Sequence, residues 1–252
     1  MTQNYSKVAI SQWVRGASLR NVSVSSAQQV SVLASVKGGL IVSCQVPDGT
    51  AIDTPAFIAA QALTVIQAGA IGIRAQGIAN VAAIAKVTDK PILGLVKRYL
   101  DTTPVYITPT VQDVLELEAA GAAIIAIDAT ERLRTGGVNL EKFLHQVRAE
   151  TNIPILADVD TVEAAVIAEA LGCEAVATTL SGYTEKPAPP LPNIGLVEKL
   201  VKKVKVPVIA EGGFGRPEHV TQAFAAGAWT VCIGTAITNP FLLTKSFLEA
   251  IN

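Results

Sequence analysis

Charge is scarce in this sequence. Only 16% of the 252 residues are charged, against about 25% in an average globular protein. Twenty basic residues nearly balance 21 acidic ones, for a net charge of −1. No cationic excess exists to neutralise a phosphate backbone, and aromatic side chains, at 5%, are too few for base-stacking platforms. Nucleic-acid binding is not expected. The three cysteines, Cys44, Cys173 and Cys232, lack CxxC spacing, and each sits in or beside an apolar run. They read as buried small hydrophobes in a reducing cytosol. No apolar run approaches the ~18 residues of a membrane span. The opening MTQNYSKVAISQWVRGAS has neither the apolar core nor the cleavage signature of a secretory signal. No membrane association is expected.

Half the residues are hydrophobic, enough for a large buried core, and they follow a repeat. A small-Gly-small tag precedes an apolar run at AGAIGIRA, AGAAIIAIDA, LGCEAVATTL and AGAWTVCIG. Its glycines, Gly69, Gly121, Gly172 and Gly227, recur at intervals of about 50 residues. Between them lies a second tag, proline before an apolar run, at Pro91, Pro154 and Pro207. With LIVSCQ from Leu40 there are eight runs. Stretches with 3.6-residue periodicity separate them, among them 111–120, 140–150, 162–171, 194–204, 218–226 and 241–251. Thr54-Pro55 and Asn239-Pro240 set a capping side chain before a proline at the first helical position.

Strands alternating with helices imply a parallel sheet, and eight such units imply a closed (β/α)8 TIM barrel. A doubly wound sheet is the alternative. The repeat has no topological break and no strand is followed by GxGxxG, which disfavours it. The barrel is assigned to residues 37–252. Residues 1–36, rich in Ser, Gln and Val, read as an N-terminal extension with a helix over 27–36 closing the barrel bottom.

Barrel chemistry gathers at the C-terminal ends of strands. Here those ends carry Gln45, Arg74, Lys97-Arg98, Asp128, Asp158, Thr178-Thr179, Glu211 and Gly234-Thr235. Alternation puts Ser43 with Gln45, Gly72 with Arg74, Leu95 with Lys97, Leu156 with Asp158 and Ile209 with Glu211 on shared faces. Polar groups therefore converge on one mouth. Gly212-Gly213 and Gly234-Thr235 follow strands 7 and 8, where barrels often hold phosphate on backbone N–H groups. The pattern alone points to a small phosphorylated substrate. The two histidines, His145 and His219, fall in helix patterns, so no metal site and no His-paired nucleophile is expected at the mouth. The acid–base candidates are Lys97, Asp128, Asp158 and Glu211.

In several segments the chain resembles the N-acetylmannosamine-6-phosphate 2-epimerases. They are GGLIVSCQ, IGIRAQG, ILGLVKR, VYITPT, AIDAT, LADV, TTLSGYT and VIAEG, in one register over roughly 37–251. The resemblance implies a cytoplasmic, cofactor-free isomerase of amino-sugar and sialic acid breakdown, acting on a small phosphorylated amino sugar. It implies that Lys97 is the proton-shuttling base, that Glu211 assists ring opening and orients the lysine, and that Asp158 helps to hold it. Gln45 and Arg74 would bind the sugar, and the backbone at Gly212, Gly213, Gly234 and Thr235 would hold the phosphate. Two positions depart from the family pattern. Gly213 and Phe214 stand where a basic residue usually follows EG, and Asn239 stands in ITNP where the family has arginine. Arg216 is the candidate to restore the first charge. A homodimer is the expected assembly.

Inverting C2 of a 2-acetamido sugar requires the ring to open, so that an aldehyde at C1 acidifies the C2 proton. Lysine can remove that proton only if its pKa falls, by burial or a neighbouring cation. Arg74 is the candidate cation, while Asp158 and Glu211 act in the other direction. Asp128 is a further substrate ligand. The segment SGYTEKPAPPLPN after strand 6, with prolines at 187, 189, 190 and 192, reads either as a stiff connector or as a lid bringing Tyr183 and Thr184 over the sugar. Two other functions remain compatible with the residues: a Schiff-base lyase using Lys97, and a sugar-phosphate binder without turnover.

Overall fold

The computed structural model describes residues 26–184 and 187–251. Residues 1–25 of the expected extension, and Glu185 and Lys186 of the proline-rich segment, lie outside the described residues. Eight parallel strands close into a barrel in sequence order. They are β1 (Leu40–Cys44), β2 (Gly72–Gln76), β3 (Ile92–Leu95), β4 (Ile124–Asp128), β5 (Ile155–Asp158), β6 (Ala175–Ala177), β7 (Val208–Glu211) and β8 (Thr230–Ile233). The ring is sealed by β1 pairing with β8, Ile41 opposite Cys232. The doubly wound alternative is thereby overturned.

Helix α1 (Ser26–Ser35) precedes the barrel, and α2 (Pro55–Gln67), α3 (Ile78–Ala85), α4 (Val111–Ala119), α5 (Leu140–Glu150), α6 (Val162–Ala170), α7 (Ile194–Lys203) and α8 (Pro217–Ala225) alternate with the strands. After β8 come the short α9 (Thr235–Thr238) and α10 (Pro240–Glu249). These bounds lie within a residue or two of the periodic stretches, because the capping chemistry is local. Thr54 accepts from the Phe57 N–H at 3.2 Å, Asn239 from the Leu242 N–H at 2.9 Å, and Thr110 forms a reciprocal capping box with Asp113, each satisfying orphan donors of a first turn. The four tag glycines all take positive φ, between 88° and 109°, as left-handed helix ends require.

Alternation along the strands splits the core into two layers. Ile41, Leu93, Leu95, Ile124, Leu156 and Ile209 fill the barrel interior. The intervening positions, such as Val42, Ile73, Ile125 and Val176, face the helices and pack with Ile58, Val81, Leu117 and Val197. All three cysteines are free and buried, Cys44 in the outer layer and Cys232 in the inner one.

The bottom of the barrel is closed by α1. Leu33 and Val36 join the interior cluster, the Trp229 indole donates to the Leu33 carbonyl at 2.8 Å, and the Lys37 ammonium lies 4.4 Å from the Trp229 ring centre. The closure makes a prediction. Leu33→Ala should cost roughly 2 kcal/mol of stability, at the low end for a buried leucine because the site is peripheral. Urea unfolding measures this, and an unchanged midpoint would mean that α1 does not seal the core.

Candidate active site

A cavity of about 890 Å³ opens at the C-terminal ends of the strands. Its wall includes Gln45, Arg74, Lys97, Tyr183, Glu211, Gly212, Gly213, Gly234 and Thr235, all singled out from sequence. Arg74 rises from the inward face of β2, and its side chain is only 1% exposed. Such burial demands partners, and two strands, β5 and β7, supply them. Arg74 donates to both Asp158 oxygens, at 3.0 and 2.6 Å, and its Nη1 lies 3.0 Å from Glu211 Oε2. Thr179 donates to Asp158 Oδ1 at 2.7 Å. Asp158, expected to hold Lys97, instead holds Arg74 from below and is not part of the cavity wall.

Burial alone would lower the Arg74 pKa, but Asp158 and Glu211 outweigh it and keep the guanidinium charged. Burial pushes the Glu211 carboxyl upward, with Asp158 adding to the shift and Arg74 opposing it. Lys97 is pushed downward, first by burial and then by the Arg74 charge, against the pull of Glu211, Asp158 and Asp48. Lys97 also faces the water of the open cavity, which screens part of each effect; the net direction is downward.

Lys97 is positioned by a loop that doubles back on β3. Lys97 bridges Ile107 in antiparallel fashion, and the Arg98 N–H donates to the Tyr106 carbonyl at 2.9 Å. The pivot is Thr108, fully buried, with φ 45°. A β-branched residue in that region carries strain of about 1–3 kcal/mol. The Thr108 hydroxyl offsets part of it by donating to the Ala126 carbonyl at 2.6 Å and accepting from the Val96 N–H at 3.2 Å.

Gln45 donates to Ser43 Oγ at 2.8 Å, and among the described residues its buried Oε1 has no hydrogen-bond partner. An acceptor is thus left for whatever fills the cavity. Two strands away, after β7, Gly212 and Gly213 have φ of 104° and 73°. A Cβ at Gly213 would lie 2.5 Å from Leu191 Cβ, so the proline-rich segment rests directly on this turn. Asn239, 6% exposed, lines the same end. Arg74 and Lys97 are the cations on the cavity wall. Arg216 is exposed and follows Gly215 of the wall without lining the cavity itself.

Asp128 and Thr184 also lie off the wall. Asp128 accepts from Thr130 at 3.1 and 2.7 Å and from Arg132 at 2.5 Å, and burial pushes its pKa upward. Thr184 donates to Asp160 at 2.6 Å, while Tyr183 stays exposed at the rim. Other wall residues went unnoticed as site residues in the sequence. Ser43 and Thr179, placed at strand ends by the sequence but given no role there, also line the wall, and Cys232, read only as packing, lies in contact with Glu211. Tyr99 and Tyr106 stand in an aperiodic loop that gives no signal. Among the described residues, no three His, Cys, Asp or Glu side chains are grouped as metal ligands would be.

Comparison with known proteins is consistent with this geometry. A family model described as "Putative N-acetylmannosamine-6-phosphate epimerase" matches residues 58–252. Proteins named "Putative N-acetylmannosamine-6-phosphate 2-epimerase" are similar along most of their length. That of Caldanaerobacter subterraneus subsp. tengcongensis is 40% identical over 88% of this chain and 95% of its own. That of Clostridioides difficile is 38% identical over 87% and 99%. The solved structure of the N-acetylmannosamine-6-phosphate 2-epimerase from Clostridium perfringens superposes with a TM-score of 0.81 at 39% identity, covering 86% of this chain and 95% of that one. With its barrel closed, its polar strand ends gathered in one cavity and this similarity running through nearly the whole of its relatives, the chain belongs to the N-acetylmannosamine-6-phosphate epimerase family.

Proposed function

We propose that the protein interconverts N-acetyl-D-mannosamine 6-phosphate and N-acetyl-D-glucosamine 6-phosphate by inverting C2 of the ring-opened sugar, in amino-sugar and sialic acid breakdown. The observation that carries this reading is the cluster of Lys97, Arg74, Asp158 and Glu211, which pushes a lysine downward and a carboxyl upward in one cavity. Opposite shifts of this kind bring the two pKa values toward each other, as suits an acid and a base working together near neutral pH. Protonated Glu211 gives its proton to the ring oxygen and takes back the O1 hydroxyl proton as the hemiacetal opens, so the carboxyl ends the step protonated as it began. Neutral Lys97 then takes the C2 proton, and the electron pair moves into the C1 carbonyl to give the enolate of the 2-acylamido aldehyde. The Lys97 ammonium then returns a proton to the opposite face of C2 once the enolate has turned over it, which completes the inversion and leaves the lysine neutral again.

Charge balance favours the arrangement. One arginine, one lysine and two carboxylates sum to zero whether the mobile proton sits on Lys97 or on Glu211. The working state, Lys97 neutral and Glu211 protonated, therefore leaves no net charge in the cluster. Backbone N–H groups at Gly212, Gly213, Gly234 and Thr235 hold the phosphate, Gln45 binds the sugar, and Asp128 acts from outside the wall by supporting the rim.

The reading also includes a cytoplasmic homodimer. The proposed substrate is a charged intracellular metabolite, and three free cysteines suit a reducing compartment. No helix among the described residues is long and apolar enough to cross a membrane. Helix α10 buries none of its side chains, and Phe247 and Ile251 at its end are 74% and 78% exposed, an apolar face that a second copy would cover.

Four outcomes are expected. Lys97→Ala should lower kcat by about 10³-fold and abolish C2 proton exchange. Proton NMR of N-acetylmannosamine 6-phosphate in D₂O reads both, and exchange at the wild-type rate would remove Lys97 from the base role. The pH profile of kcat/KM should be bell-shaped. Activity falls on the acid side as Lys97 gains a proton, and on the alkaline side as Glu211 loses one. Glu211→Gln should slow the pyranose far more than an open-chain analogue and erase the alkaline fall; a retained alkaline fall would assign it to another group. Finally, a Gly/Ser replacement of residues 187–192 should raise KM about tenfold, roughly 1.4 kcal/mol, because Leu191 braces Gly213. Unchanged kinetics would make the segment a connector.

A further inference from the structure

Two tyrosines outside the proposed acid–base machinery stand together on the cavity wall. Tyr99 and Tyr106 stack with ring centres 5.4 Å apart and planes 14° from parallel. Both border the cavity beside Lys97. Tyr106 is half-buried and packs against the barrel interior, whereas Tyr99 is 74% exposed. The loop that bears them is tied down rather than free. The Lys97–Ile107 bridge fixes one end, and the Thr103 hydroxyl donates to the Leu133 carbonyl at 2.7 Å on the neighbouring loop. An exposed, rigidly held aromatic face at a cavity rim has no folding role that explains it, since Tyr99 contributes almost no burial.

Barrel geometry says what lies against it. Strands β3 and β7 are four places apart in a ring of eight, and so face one another across the mouth. On the proposed function, C2 of the substrate lies at Lys97 on the β3 side. The 6-phosphate lies at the turns after β7 and β8. The extended open-chain sugar spans the cavity between them, and the substituent on C2 leaves the chain sideways at the β3 side, next to the loop that carries Tyr99 and Tyr106. That substituent is the N-acyl group.

The geometry points to the stacked Tyr99–Tyr106 pair as the N-acyl subsite, with the open Tyr99 side admitting acyl chains longer than acetyl. The inference rests on the epimerase reading and deepens it. An acyl chain on an aromatic face gains contact area without needing hydrogen bonds, and the exposed edge sets no wall at a fixed distance. The β7–β8 end, by contrast, is walled by the turn at Gly212 and Gly213 and by Asn239, Leu242 and Leu243. Discrimination is therefore tight at the phosphate end and loose at the acyl end.

The test compares N-acetyl- and N-butanoyl-mannosamine 6-phosphate with the wild-type protein, Tyr99→Ala and Tyr99→Phe. The wild type should use the butanoyl sugar with kcat/KM within about threefold of the acetyl sugar. Tyr99→Ala should raise KM about tenfold for the butanoyl sugar and less for the acetyl sugar, with kcat and melting temperature kept. Tyr99→Phe, which retains the ring, should behave as wild type. The inference is overturned if the wild type rejects the butanoyl sugar by a hundredfold, if Tyr99→Ala matches the wild type on both sugars, or if its loss appears in kcat alone. Turnover of neither sugar by the wild type would instead overturn the epimerase reading, and the acyl subsite with it.

Discussion

A buried guanidinium gripped by two carboxylates organises the catalytic end of this barrel. Arg74 could not occupy the inward face of β2 without Asp158 and Glu211, because an unpaired charge at that depth costs several kcal/mol. Nor could the two carboxylates sit so close together without Arg74 between them. Each strand contributes one member, so the cluster forms only when the ring closes. The packing of the strands and the electrostatics of the cavity are therefore one constraint. Burial lies behind both shifts: it disfavours the charged form of each group, lowering Lys97 with the help of the Arg74 charge and raising Glu211 with the help of Asp158.

The loop between β3 and α4 converts this field into geometry. Lysine has a long, entropically costly side chain, and a base must meet its proton within hydrogen-bond reach. Here the backbone on either side of Lys97 is fixed by a ribbon that returns along β3 and is pinned at Thr108. The strain at Thr108 is tolerated because its hydroxyl and its backbone N–H are both bound inside the protein. Strain concentrated at a pivot beside a base is a common use of sparsely populated backbone regions.

Much of this was legible in the residues. The repeat, the tag glycines and the capping pairs specify eight strand–helix units because each signal is local and each acts through the backbone. Strand alternation brought Gln45, Arg74, Lys97 and Glu211 to one mouth for the same reason. The partners of those groups were not legible. Arg74 and Asp158 are 84 positions apart, and only ring closure brings β2, β5 and β7 within reach, so Arg74 read as a sugar ligand rather than as the centre of a cluster. Asp128 read as a free carboxylate because its neutralising groups, Thr130 and Arg132, lie in an aperiodic loop. Cys232 read as packing because its residue type is apolar, although it lies at the same inward parity as the active groups.

The contact between Gly213 and Leu191 links two distant stretches of chain into one evolutionary unit. A basic side chain at 213 needs a backbone able to bear φ of 73° with a Cβ, and it needs the space that Leu191 now occupies. Either substitution alone is blocked or leaves a gap. Charge can return to this turn only through paired changes, so the position is epistatic with the proline-rich segment. Lineages that acquired the present loop would be held to a neutral turn long after the original reason for it had gone.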